Sequence, residues 1–208
     1  MSTELALYQP PVTGLTHDDM DPELTEGGGN FNKALRLFSP KSGAVAEGKV
    51  GVNCFGIADS NDIRDLGKTV DLLPVAWRPQ AVYFDDSKKP HFAYRRGTPE
   101  WEDVKARGDH GMCFLCVERS TNQCVEFHCK GSFQRPLGAE IAKHIGDGTK
   151  PSQPITLTAT TAPSKHGPQS TFTVAKSSLP FTEQPDDYKA ACERFVAPLN
   201  ATEPSRAR

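Results

Sequence analysis

The chain has 208 residues, with 24 lysines and arginines against 26 aspartates and glutamates and a net charge of −2. Its 37% hydrophobic content is enough for a core but polar for a globular protein, so the length suits one domain with extensions or at most two small ones. No apolar run approaches the ~20 residues of a membrane helix, and MSTELALYQPP has neither a basic region nor an apolar signal core, so a cytoplasmic protein without membrane association is expected.

Residues 1–29 read as a flexible acidic arm. They hold Pro10, Pro11, Pro22 and the triplet Gly27-Gly28-Gly29, with few positions that could anchor a core. Glu4, Asp18, Asp19, Asp21, Glu23 and Glu26 face no lysine or arginine in the first 26 residues, which leaves the rest of the chain at +4. An acidic arm on a mildly basic body can shield a polyanion site or recruit a basic partner; a solubilising terminus is the plainer reading. Phe31–Phe38 is a strand or one helical turn, and Lys49–Ala58 alternates well enough for a strand.

Thr69–Phe84, TVDLLPVAWRPQAVYF, is rich in strand formers, but Pro74 and Pro79 cannot donate to a ladder. A bent strand, or two strands joined at Arg78-Pro79, is expected. Residues 85–111 form a long polar connection. Within it, Thr98-Pro99-Glu100 starts a short helix over Pro99–Ala106, with a cap residue, proline at the first position and acids in the first turn.

Met112–Val117 and Gln123–Lys130 form a hairpin. Alternation sets Cys113, Leu115 and Val117 beside Val125, Phe127 and Cys129 as core, and leaves Phe114, Cys116, Cys124, Glu126, His128 and Lys130 on the other face. A helix spans Leu137–Ile145. Ile155–Thr161 and Ser170–Lys176 form a second hairpin with a long basic loop that carries Lys165. Tyr188, Cys192, Phe195 and Leu199 recur at helical spacing and predict a C-terminal helix ending near Ala197-Pro198, followed by a tail over residues 201–208.

Two constellations bear on chemistry. Trp77, Arg78, Lys88, Lys89, Phe92, Tyr94, Arg95 and Arg96 interleave aromatic and basic side chains, a pattern that stacks unpaired bases and neutralises phosphates. Phe114, Lys130 and Lys165 add to this set from the two hairpins. A core strand followed by a solvated loop would also account for Trp77, though less readily for Phe92 and Tyr94. The six cysteines of an unsignalled chain read as free thiols. Four of them cluster between Cys113 and Cys129. The favoured reading is small buried hydrophobes in strands; the competing one is zinc held by Cys116, Cys124 and His128 on one face. No phosphate loop, HExxH or paired-carboxylate motif is present, so an enzyme is not expected.

From Thr69 to Lys176, the order strand, hairpin, helix, hairpin resembles the OB-fold single-stranded-DNA-binding proteins of bacteriophages. The likeness is carried by TVDLLPVAWRP, by GAEIAKHIG between the hairpins and by the aromatic and basic loop. It implies a mainly β (α+β) protein, an OB-like small barrel with a helix between hairpins and a C-terminal helix, as a single domain over residues 30–200. It further implies binding of single-stranded DNA in replication or recombination, in the host cytoplasm, without a cofactor. The acidic N-terminal arm would offer a site for protein partners, and a homo-oligomer is compatible with this reading. The alternative is a structural or interaction protein, a virion component or an inhibitor of a host factor, that binds no nucleic acid.

Overall fold

The computed structural model describes residues 33–59, 62–87, 90–147, 149–165 and 167–200. The acidic arm, Lys88, Lys89 and the tail lie outside the described residues. The protein is mainly β, a curled half-barrel sheet with four helices among the described residues. The strands are β1 (Lys33–Phe38), β2 (Cys54–Asp59), β3 (Asp62–Gly67), β4 (Thr69–Phe84), β5 (Pro90–Ala93), β6 (Asp109–Glu118), β7 (Gln123–Lys130), β8 (Ile155–Ala162) and β9 (Gln169–Lys176). The helices are α1 (Gly43–Ala46), α2 (Pro99–Arg107), α3 (Gly131–Ala142) and α4 (Tyr188–Asn200).

Strand order is β3-β2-β1-β7-β6-β4-β8-β9, with β5 pairing β4 off this path. Neighbours are antiparallel except β1 and β7, which run parallel. Curling brings distant strands together. Phe55 of β2 and Phe127 of β7 both touch Phe172 of β9, with ring centroids 6.4 and 5.3 Å away. Around them Leu35, Ile57, Val70, Leu72, Phe114, Val125, Ile155 and Leu157 fill the concave side, and Ile141 of α3 closes it. On the other face α4 lays Tyr188, Ala191, Cys192 and Phe195 over Leu73, Val75, Leu115, Val117 and Cys124. Both faces of β6 are therefore core, so its sequence is nearly continuous in apolar residues.

β4 is one strand of sixteen residues, neither split nor broken at Arg78-Pro79. Its register against β6 shifts between Pro74 and Ala76. On its other edge β8 pairs only Thr69–Leu72 and β5 only Ala81–Phe84, so the stretch holding both prolines has no second strand that would need their missing N–H.

The hairpin register corrects the expected faces. Cys113 stands opposite His128, Phe114 opposite Phe127 and Cys116 opposite Val125. Phe127 and Val125 thus share the concave face with Phe114 and Cys116, not with Cys113 and Leu115. The turn decides this. The buried Glu118 carboxylate accepts from the Ser120 and Thr121 amides (2.8 and 2.9 Å) and from both hydroxyls, and Asn122 takes a positive φ of 50°. That turn closes the hairpin on the Glu118–Gln123 pair, and a slip of one residue reverses every face.

Helix α2 matches its expected span, with Thr98 Oγ1 accepting from the Trp101 amide at 3.2 Å. Helix α3 begins before the expected Leu137 and contains Pro136. Gly131 makes this possible: its φ of +73° turns the chain from β7 straight into the helix. The C-terminal helix spans Tyr188–Asn200. The polar connection after β4 contains β5, which alternation over four residues does not reveal.

Gly111 tests the packing of the central hairpin. A side chain there would drive its Cβ into the Cys129 carbonyl across the ladder, whereas one at Gly43 would meet open space. Gly111→Ala is expected to cost about 2 kcal/mol or more in urea denaturation. Gly43→Ala should leave the midpoint close to wild type, and equal effects would refute the tight β6–β7 contact.

Candidate nucleic-acid interface

Two of the expected contact residues meet in one cleft. A cavity of about 470 Å³ opens between the start of α3 and the loop joining β8 to β9. It is lined by Lys130, Gly131, Ser132, Phe133, Gln134, Ser164, Lys165, Gln169 and Ser170. No acidic side chain lines it among the described residues. Lys130, the last residue of β7, stands at the N-cap of α3 in an extended conformation and gives the helix no side-chain cap. Its ammonium lies 3.1 Å from the Asp109 carboxylate and stays half exposed. Lys165 sits in the loop turn that the Ser164 hydroxyl holds by donating to the Gly167 carbonyl at 2.7 Å. Phe133 is 36% exposed at the mouth. Two ammonium groups, the Ser132 hydroxyl and one accessible ring suit a phosphate and an adjacent base, while the Ser164 and Ser170 hydroxyls donate to the Gly167 carbonyl and to Asn53 Oδ1.

The other expected residues divide between two faces. Trp77 pairs with Phe114 across the ladder and is 46% exposed, the most open tryptophan face in the described residues. Phe114 is fully buried beside Phe127, because the face expected to be open is the barrel interior. It cannot stack on a ligand.

Arg78 is also inaccessible, at 2% exposure. It points to the α4 side, between the Tyr94 and Phe195 rings at 4.8 and 4.2 Å. Its guanidinium donates to the Phe195 carbonyl, to Gln80 Oε1 at 3.3 Å and to Glu126 Oε2 at 2.9 Å, and the Cys113 thiol donates to the same carboxylate oxygen at 3.5 Å. Arg78 is a structural cation, not a phosphate contact. Burial pushes the Tyr94 phenol up to about 12, with Arg78 pulling the other way. Phe92 stacks on Tyr94 at 6.0 Å, and Arg95 donates to the Leu199 carbonyl at 2.7 Å. Tyr94, through Arg78, and Arg95 are therefore tied to the end of α4, while Ala93 packs under α2 with Trp101 and Val104. Arg96 is exposed, with its guanidinium 5.9 Å from the Trp101 ring.

The cysteines do not assemble. Cys116 belongs to the concave core, whereas Cys124 faces α4, so the face expected to unite Cys116, Cys124 and His128 does not exist. No group of three metal-ligating side chains occurs among the described residues. All six thiols are free and buried. Burial pushes Cys124 up to about 12 and Cys192 up to about 11, and raises Cys113 and Cys116 well above the usual thiol range. Thiolate chemistry at neutral pH is correspondingly disfavoured.

Sequence reasoning missed Phe133, Arg135, Ser132, Gln169 and Ser170. The run Lys130-Gly-Ser-Phe-Gln-Arg135 does carry a signal: two cations and an aromatic ring within six residues of a strand end. Comparison with known protein families, with curated proteins and with solved structures finds no match to this chain.

His128 faces the same side of the sheet as Arg78. Burial, with Lys130 adding to it, pushes its imidazole from 6.5 down to about 4, and its Nε2 is buried without a partner. The unfolded chain thus binds this proton more readily. The stability held by the neutral ring is full above pH 6.5 and falls as pH drops towards 4, by about 3 kcal/mol in all. In urea denaturation between pH 7 and 4, His128→Gln should lose less stability than wild type. Identical pH slopes would show that His128 is not the group responsible.

Proposed function

We propose that the protein is a non-enzymatic single-stranded-DNA-binding protein, of the replication or recombination type its OB-like element order resembles. The observation that carries this reading is the α3–β8/β9 cleft, which joins Lys130 and Lys165 to the exposed Phe133 with no acid among the described residues that line it. Phosphates sit against the two ammonium groups and a base lies on the ring. Each stacked base contributes ~1–3 kcal/mol regardless of its identity, which suits binding without sequence preference. Trp77 is a second accessible ring on the concave side. The arm at residues 1–29, with its six acidic side chains, competes with the nucleic acid for the cleft or recruits partner proteins.

Titration of labelled oligo-dT at several salt concentrations tests this. Lys130→Gln with Lys165→Gln should weaken binding at low salt roughly tenfold or more and reduce the log–log salt slope by about 1.4, the value for two phosphate contacts on a single strand. Absence of binding by the wild type at low salt, or an affinity and slope unchanged in the double variant, would overturn the proposal.

A further inference from the structure

A second group of cations lies beside the cleft. His110 of β6 faces Arg135 of α3, with Nε2 and Nη1 2.6 Å apart. The imidazole edge meets the buried Trp101 ring of α2 at a centroid distance of 6.5 Å, and the Arg96 guanidinium stands 5.9 Å from that ring. Lys105 lies one helical turn after Trp101 and is held 2.9 Å from Glu102. Three elements and one loop thus bring Arg96, Lys105 and Arg135 around His110, and His110 and Arg96 both stand against the Trp101 indole. The nearby acids are engaged, Glu102 by Lys105 and Asp109 by Lys130. Burial, then Arg135, Lys105 and Arg96 in turn, push His110 towards its neutral form, and Asp109 opposes them. Cations that repel one another in this way are stabilised by an anion placed between them.

We propose that Arg96, Lys105, His110 and Arg135 form a phosphate-binding site, and that when the phosphate binds His110 takes up a solvent proton at Nε2, which releases Arg135 Nη1 from that nitrogen to the phosphate. Arg135 connects this site to the cleft, since its Nε donates to the Gly131 carbonyl at 3.2 Å and Gly131 is part of the cleft lining. On the single-strand reading above, on which this part rests, the phosphate is a backbone phosphodiester one step along from Lys130. A free phosphate group carries the same chemistry.

Proton NMR of the full chain distinguishes the outcomes. The His110 ring is titrated at low ionic strength with inorganic phosphate and with sodium chloride at matched ionic strength. Phosphate, but not chloride, should raise the His110 midpoint by roughly one pH unit. His91, which stands 2.9 Å from Asp85 on another part of the sheet, serves as the unmoved control. Arg96→Gln with Arg135→Gln should abolish the response, and an unchanged His91 signal verifies the fold. An unmoved His110 midpoint, or a response that survives in the double variant, overturns the site. With oligo-dT, the same double variant should bind roughly tenfold more weakly than wild type. If oligo-dT binds both proteins equally and leaves His110 unmoved, the site is overturned and the cleft reading stands. If wild type binds no oligo-dT while phosphate still moves His110, the site stands with free phosphate as its ligand and the single-strand reading fails.

Discussion

A single irregularity in β4 fixes which side chains face which layer. Before it Leu72 points into the concave core, and Leu73 and Val75 point to α4. The register shift between Pro74 and Ala76 then exchanges the faces, so that Trp77 shares a side with Phe114 and Arg78 turns towards α4. Without the extra residue Arg78 would project to the concave side of the sheet, the side of Phe114, away from the Glu126 carboxylate. A bulge that re-aims a side chain in this way is a designed feature of a strand, not a defect. The same strand serves three of the hydrophobic clusters, including the one under α2 through Ala81.

What the bulge delivers is a buried cation at the α4 interface. Taking Arg78 and Glu126 out of water costs several kcal/mol per ion, and their attraction offsets that only with good geometry and further hydrogen bonds. Most of those are present: Gln80, the Phe195 carbonyl and two flanking rings surround the guanidinium, although its Nε is buried without a hydrogen-bond partner. The arrangement fixes where α4 lies rather than adding much net stability. It also occupies the Phe92–Arg95 segment, whose aromatic pair and arginine are committed to Arg78 and the end of α4. Composition suggested a ligand surface there; packing gives it a structural task.

Strands β2, β4 and β6 to β9, with α2 and α4, were legible because each rests on a local signal: alternation, the Thr98 cap, the Tyr188–Cys192–Phe195 spacing; β3 and β5 carry no such signal. The faces of the central hairpin were not, because both sides of β6 are apolar and only the Glu118 turn sets the register. The parallel pairing of β1 with β7 leaves no local trace, since it joins residues about ninety positions apart. Of the candidate site, only the two lysines were within reach. Lys130 and Lys165 stood out as basic residues at hairpin ends, but that they share one cleft depends on the curl of the sheet. Phe133 and Arg135 precede Leu137, where the helix was expected to start; the positive φ of Gly131 starts it six residues earlier.

The cations of the cleft and of the His110 cluster stand at the surface, Lys130 and Lys105 beside the Asp109 and Glu102 carboxylates, whereas Arg78 is paired inside the fold at the α4 interface. On this reading the first group meets the nucleic acid and Arg78 and Arg95 hold the fold. Amide chemical-shift mapping with oligo-dT at low salt separates them most directly. The account predicts shifts concentrated in Lys130–Arg135 and in Ser164, Lys165, Gln169 and Ser170, with Tyr94 and Arg95 unmoved. Shifts confined to residues 92–96, with the cleft silent, would contradict it.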